Sequence, residues 1–135
     1  MAGPAASGVL VYAKDVERLA AFYETIFAMS RQFESPDLVV LESPALQLVL
    51  HAIPAKIAAS ISITTPPARR EQSALKPFFA VESISAARVA AAQLGGEIFA
   101  DQFTARGFNA CNACDPEGNI FQVREPVRAT ASDVV

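Results

Sequence analysis

Few side chains in this 135-residue chain combine reactivity with a suggestive spacing. There is one histidine, His51, and two cysteines, Cys111 and Cys114, spaced C-x-x-C. A redox pair of that spacing needs a helix start to lower a thiol pKa, and a zinc site needs further ligands. The segment Cys111-Asn112-Ala113-Cys114 offers neither, and its neighbours read as a strand. Two structural thiols, suited to a reducing cytoplasm, are the expectation. Ser/His/Asp catalysis would need a nucleophile elbow, and no G-x-S-x-G occurs. Gly95-Gly96 and Gly118-Asn119 lack the further glycines of a phosphate-binding loop and read as a helix cap and a turn.

Charge narrows the partners. Eleven Lys plus Arg against 14 Asp plus Glu give a net charge of -3, and Arg69-Arg70 is the only adjacent basic pair. Phosphate neutralisation needs a concentrated basic face, so no nucleic-acid partner is expected. The longest mainly apolar stretch, residues 46–63, is interrupted by His51, Pro54 and Lys56. It falls short of the roughly 20 apolar residues of a membrane span. Residues 1–7 lack the basic and apolar pattern of a secretory signal. No membrane partner and a cytoplasmic location are expected.

The elements that would position these groups repeat. Asp15 has the character of a helix N-cap, followed by Val16, Leu19, Tyr23 and Ile26 on one helical face. Ser83 is followed by Ile84, Ala87, Ala91 and Leu94, each 68 positions beyond its counterpart. Each helix follows an apolar strand, residues 8–13 and 76–81. Three short strands then follow each helix: 30–34, 38–42 and 46–51 in one half, and 97–100, 108–114 and 120–124 in the other. The predicted fold is α+β, two tandem βαβββ units forming an open cup-shaped sheet. One domain is expected over residues 8–129, with repeat one at 8–51, a linker at 52–74 and repeat two at 75–125. The linker is given one extra strand at 61–64, and residues 1–7 and 130–135 are read as loose tails.

Three motifs in this order carry a resemblance. They are Val11-Tyr12-Ala13-Lys14-Asp15 with Ala21-Phe22-Tyr23, then Ala80-Val81-Glu82-Ser83, then Asp115-Pro116-Glu117-Gly118-Asn119. Together they resemble the vicinal oxygen chelate superfamily, which includes glyoxalases, bleomycin-resistance proteins and extradiol dioxygenases. The resemblance covers residues 8–125 and implies paired units around a ligand cavity. Metal-dependent members hold a divalent ion with side chains from the first and last strands of each half, where it acts as a Lewis acid. The corresponding positions here are Gly8, Lys76, Gln122 and either Val49 or His51. At most one ordinary ligand survives, so no metal and no cofactor are expected.

Strand alternation then proposes a cavity lining. Val9, Val11 and Ala13 would face the helix and leave Gly8, Leu10 and Tyr12 toward the cup. Leu46, Leu48 and Leu50 would leave Gln47, Val49 and His51 inside. On the second unit Lys76, Phe78 and Ala80 point in, as do Ile120, Gln122 and Arg124. The candidate ligand-binding residues are Tyr12, Gln47, His51, Lys76, Phe78, Gln122 and Arg124. An apolar lining with a few placed polar groups suits a small organic ligand, and two cations suit a carboxylate, phosphate or phenolate on it. The competing reading puts Lys76 and Arg124 at strand ends, reaching for water.

The leading expectation is a metal-free binder of a small aromatic or anionic compound. The resemblance to the bleomycin-resistance branch adds a homodimer, in which two chains complete each cavity. The rival is an enzyme of the same superfamily. It would be either a metal-dependent lyase, isomerase or dioxygenase with other ligands, or a metal-free catalyst moving a proton with His51, Lys76 or Tyr12. A partner-binding domain with a filled cup is a third reading.

Overall fold

A computed structural model describes residues 5–127. The expected tail at 130–135, the last two residues of the expected domain at 8–129, and the first four residues of the tail at 1–7 lie outside the described residues. Within 5–7, the Ala5 amide donates to Glu42 at 2.6 Å and the Ser7 carbonyl accepts from Gln47 at 3.0 Å.

The first unit runs β1 (Gly8–Ala13), α1 (Val16–Ile26), β2 (Ser30–Ser35), β3 (Leu38–Glu42) and β4 (Gln47–Ala52). A short helix α2 (Ala55–Ala58) follows. The second unit runs β5 (Phe78–Ala80), α3 (Ile84–Gln93), β6 (Glu97–Ala105), β7 (Phe108–Cys114) and β8 (Ile120–Pro126). Each unit forms an open four-stranded sheet, in the orders β1-β4-β3-β2 and β5-β8-β7-β6. In each the first strand pairs parallel with the last, and the remaining pairs are antiparallel. This is the α+β architecture of tandem βαβββ units that the 68-residue offset predicts.

Local chemistry starts and stops the helices where the periodicity places them. The Asp15 carboxylate accepts from the Arg18 amide at 3.1 Å, and the Ser83 hydroxyl accepts from Ala86 at the same distance. Gly95 ends α3 at φ 91°, whereas α1 ends with Ala28 at φ 50°, a left-handed conformation adopted without glycine.

The linker differs from expectation. Residues 61–64 form no strand, and a helical turn occupies Ala55–Ala58 after Pro54. Pro66 and Pro67 interrupt any continuing ladder, and residues 68–70 instead dock on the last turn. The Arg70 amide donates to Gly118 at 2.9 Å, and a Cβ on Gly118, at φ 87°, would strike the Ala68 carbonyl. Strand β5 is shorter than 76–81, because Pro77 has no N–H to donate, and β6 runs on to Ala105 past an irregularity between Ile98 and Gln102.

One apolar core serves both units. Leu19, Leu41, Leu48 and Leu50 from the first join Phe79, Ile84, Ala91, Phe121 and Val123 from the second. Helix α1 bridges them: Phe27 stacks on Phe79 at 4.5 Å, and Phe22 meets Phe121 edge-on at 5.9 Å. Cys111 and Cys114 are both free and buried, and Cys111 Sγ accepts from Arg88 at 3.5 Å.

Candidate functional site

Alternation leaves large apolar side chains on the strand faces that turn away from the core. Val9 and Val11 pack against the core while Leu10 is 50% and Tyr12 59% exposed. Phe79 and Val81 are buried while Phe78 is 56% exposed. The seven expected residues fall into two groups, with Gln47 separate beside Gly8 in the β1–β4 ladder.

The first group is Tyr12 and His51, direct partners in that ladder, with rings edge-to-face at 5.6 Å. His51 Nδ1 lies 2.8 Å from the Ala52 carbonyl. A carbonyl can only accept, so Nδ1 carries the hydrogen of this contact.

The second group is Lys76, Phe78, Gln122 and Arg124. Phe78 pairs with Gln122, whose Oε1 accepts from Arg124 Nε at 2.6 Å. The guanidinium lies 3.6 Å over the Phe78 ring and 4.4 Å from Phe108. Lys76 Nζ reaches Asn112 Oδ1 at 3.4 Å, and Asn112 pairs with Gln122. Phe108 and Asn112 are not among the expected ligand-binding residues. Counting back from the Ala110–Arg124 pair would have placed Phe108 on that face, and the register sets Asn112 directly opposite Gln122.

A cleft of about 570 Å³ lies along the edge of β1, and Leu10, Tyr12 and Ile120, all expected to face the cup, border it. Arg70, Leu75 and Pro77 also line it. Tyr12 is the only one of the seven expected residues that borders it. Gln47 donates to the Ser7 carbonyl and Ile53 to the Ala13 carbonyl. In a parallel ladder this assigns the backbone of Val9 and Val11 to β4 and turns that of Leu10 and Tyr12 to the open edge.

Tyr23 also borders this cleft, and its hydroxyl donates to Asp115 at 2.7 Å. Asp115 accepts further from the amides of Glu117 and Asn119 and from the Asn119 side chain. Burial raises the Asp115 pKa above the ordinary carboxylate value, although these donors pull it down. Burial beside that carboxylate holds the Tyr23 hydroxyl protonated, well above its usual pKa. Glu117 is also buried and accepts the Lys14 and Asp15 amides, each at 2.8 Å. The Asp-Pro-Glu-Gly-Asn turn is a structural clasp between the units.

Comparison with known proteins agrees with this geometry. The family model described as Glyoxalase-like domain matches residues 8–124. The chain belongs to this family, and so to the vicinal oxygen chelate superfamily. No curated protein matches it significantly. Among solved structures, a glyoxalase/bleomycin resistance protein/dioxygenase family enzyme from Burkholderia phytofirmans PsJN superposes with TM-score 0.67 at 18% identity, covering 89% of this chain and 97% of that one. A bleomycin resistance determinant encoded on the transposon Tn5 gives 0.55 at 15%, covering 90% and 97%. Lactoylglutathione lyase from Agrobacterium tumefaciens gives 0.55 at 19%, covering 90% and 92%. At these identities the likeness establishes the glyoxalase-like fold alone.

The metal positions of the superfamily can be tested on this chain. A Cβ at Gly8 would lie 2.7 Å from the Gln47 carbonyl oxygen, so the position admits no side chain without a backbone shift. The register also decides between Val49 and His51. Extending the Phe78–Gln122 pairing sets position 76 opposite Ile120, two residues before Gln122. The same displacement from Gln47, the partner of Gly8, is Val49. Glycine, valine, lysine and glutamine do not make a divalent-cation site. Among the described residues, no group of three or more His, Cys, Asp or Glu could hold a metal ion.

Proposed function

We propose that this glyoxalase-like chain binds a small organic compound, aromatic or anionic in part, against the strand faces opposite the core, without a resident metal. The observation that carries the reading is the alternation itself. Leu10, Tyr12 and Phe78 are each half-exposed or more, while Val9, Val11, Ala13 and Phe79 beside them on the same strands pack inward. Exposed apolar faces interrupted by a few polar groups are the surface that a planar ligand covers with least desolvation cost. The proposal takes residues 8–129 as one domain, and Tyr12, Gln47, His51, Lys76, Phe78, Gln122 and Arg124 as ligand-facing.

In this reading the chain is a homodimer: β1 and β5 each end their sheet, and a second copy would cover the half-exposed Leu10, Tyr12 and Phe78. The two buried free thiols suit a reducing, cytoplasmic setting. No helix of the described residues is long and apolar enough to cross a membrane.

A thermal-shift screen of aromatic acids, phenols and neutral aromatics tests the reading, with metal analysis of the untreated protein and light scattering alongside. Stabilisation by one compound class in metal-poor dimeric protein is the expected result. One tightly held ion per chain with no ligand response overturns it.

The Tyr12–His51 contact favours a second reading, metal-free proton transfer with His51 Nε2 as base. Turnover of a bound compound that is lost in His51→Gln, with binding retained, would select it.

A further inference from the structure

Arg124 differs from Arg31, Arg69 and Arg88 in what holds its guanidinium. Arg31 is held by Glu17, Glu24 and Glu34, and Arg69 by Glu97. Arg88 donates to the carbonyls of Ile98 and Phe99. Arg124 has no carboxylate partner among the described residues. Its sequence neighbour Glu125 accepts the Ile84 amide at the start of α3. Rings cover the Arg124 guanidinium, Phe78 at 3.6 Å and Phe108 at 4.4 Å, and Gln122 takes its Nε. Only the two terminal nitrogens remain, on a partly exposed fork that its neighbours hold in place. Lys76, also without a carboxylate among the described residues, stands at the other end of the row through Asn112 and Gln122.

A rigid planar cation without a counter-ion, set among aromatic rings, matches a planar anion on an aromatic body. We propose that the second unit holds a specific anion seat, in which the Arg124 terminal nitrogens bind the carboxylate of an aromatic acid. The ligand's ring lies against Phe78 and Phe108, and Lys76 adds attraction without a fixed contact. This rests on the small-ligand reading above and names its substrate class.

Titration of the full chain with benzoate and with its neutral counterpart benzamide, followed by amide chemical shifts, separates the two ideas. The expected result is benzoate binding at least about tenfold tighter than benzamide, with shifts centred on Phe78, Gln122 and Arg124. Arg124→Gln should remove the preference, bringing benzoate affinity down to that of benzamide, in protein whose amide spectrum shows that it remains folded. Arg124→Lys should recover only part of it, because an ammonium lacks the fork. Lys76→Gln should weaken benzoate about twofold to threefold at low ionic strength, and by less as salt screens the charge. Equal affinity for the two probes, or a preference that survives Arg124→Gln, overturns the anion seat alone. Failure of both probes to bind at millimolar concentration overturns the aromatic-ligand reading and the seat with it.

Discussion

The Tyr23 hydroxyl donates to the buried Asp115 carboxylate at 2.7 Å across 92 residues of chain, and so ties the helix of the first unit to the last turn of the second. Tyr23→Phe removes that donor and keeps the ring among Phe27, Phe79 and Phe121. Asp115 keeps its bonds to Glu117 and Asn119. The expected loss is about 1.5 to 3 kcal/mol, the range for a hydrogen bond to a charged group, read from urea denaturation. Asp115→Ala should cost more, since it orphans four donors together.

Glu117 offers a complementary test. Its two carboxylate oxygens each accept one backbone amide, from Lys14 and Asp15. Glu117→Gln preserves shape but turns an NH₂ group toward one of those amides. A loss of about 1 to 3 kcal/mol in the same assay is expected.

The Cys114 thiol is pushed up to about 11, chiefly by burial, with the Glu97 and Asp115 carboxylates adding and Arg69 opposing. It should react slowly with a thiol reagent at neutral pH in the folded protein and rapidly in urea. The folded pKa stands above the unfolded one, so the thiol's stabilising contribution is complete below roughly pH 8.5. It is lost as pH rises through about 11. The urea midpoint of the wild type should therefore fall more steeply across that interval than that of Cys114→Ala.

Ala28 holds φ 50° where the second unit uses Gly95. Ala28→Gly relieves the left-handed penalty and should stabilise the protein by about 0.5 to 1 kcal/mol, after the extra freedom of glycine when unfolded is subtracted. A higher melting temperature is the readout.

Arg31 neutralises three glutamates, of which Glu17 and Glu34 are largely exposed. Arg31→Met leaves the carboxylates facing one another. The loss should be about 1 kcal/mol or less at physiological salt and should grow at low ionic strength, as paired melts would show.

Much of the fold was legible because its signals are local. The Asp15 and Ser83 caps and the helical spacing behind them fix two helices, and strand alternation correctly sorted Leu10, Tyr12 and Phe78 from Val9, Val11 and Phe79. The linker was not, because its conformation depends on docking: Gly118 receives the Arg70 amide, an interaction with no signature in residues 61–70. The arrangement of the candidate site lay between these cases. Parity placed Arg124 and Phe78 on one face, but the stacking of Phe108 follows from the register of β7 on β8, set by a turn rather than by either strand alone. The separation of Tyr12 and His51 from the Arg124 group is a property of how two sheets sit on one core, which no strand pattern encodes.

That shared core also has a temporal side. The N-terminal helix leaves the ribosome well before Phe79 has been translated, and earlier still than Phe121. The nascent first unit therefore carries the uncovered aromatic face of Phe22, Tyr23 and Phe27 through most of translation, and burial of that face waits for the second unit. Until the last strand is made, that uncovered apolar face is a surface on which incomplete chains can associate.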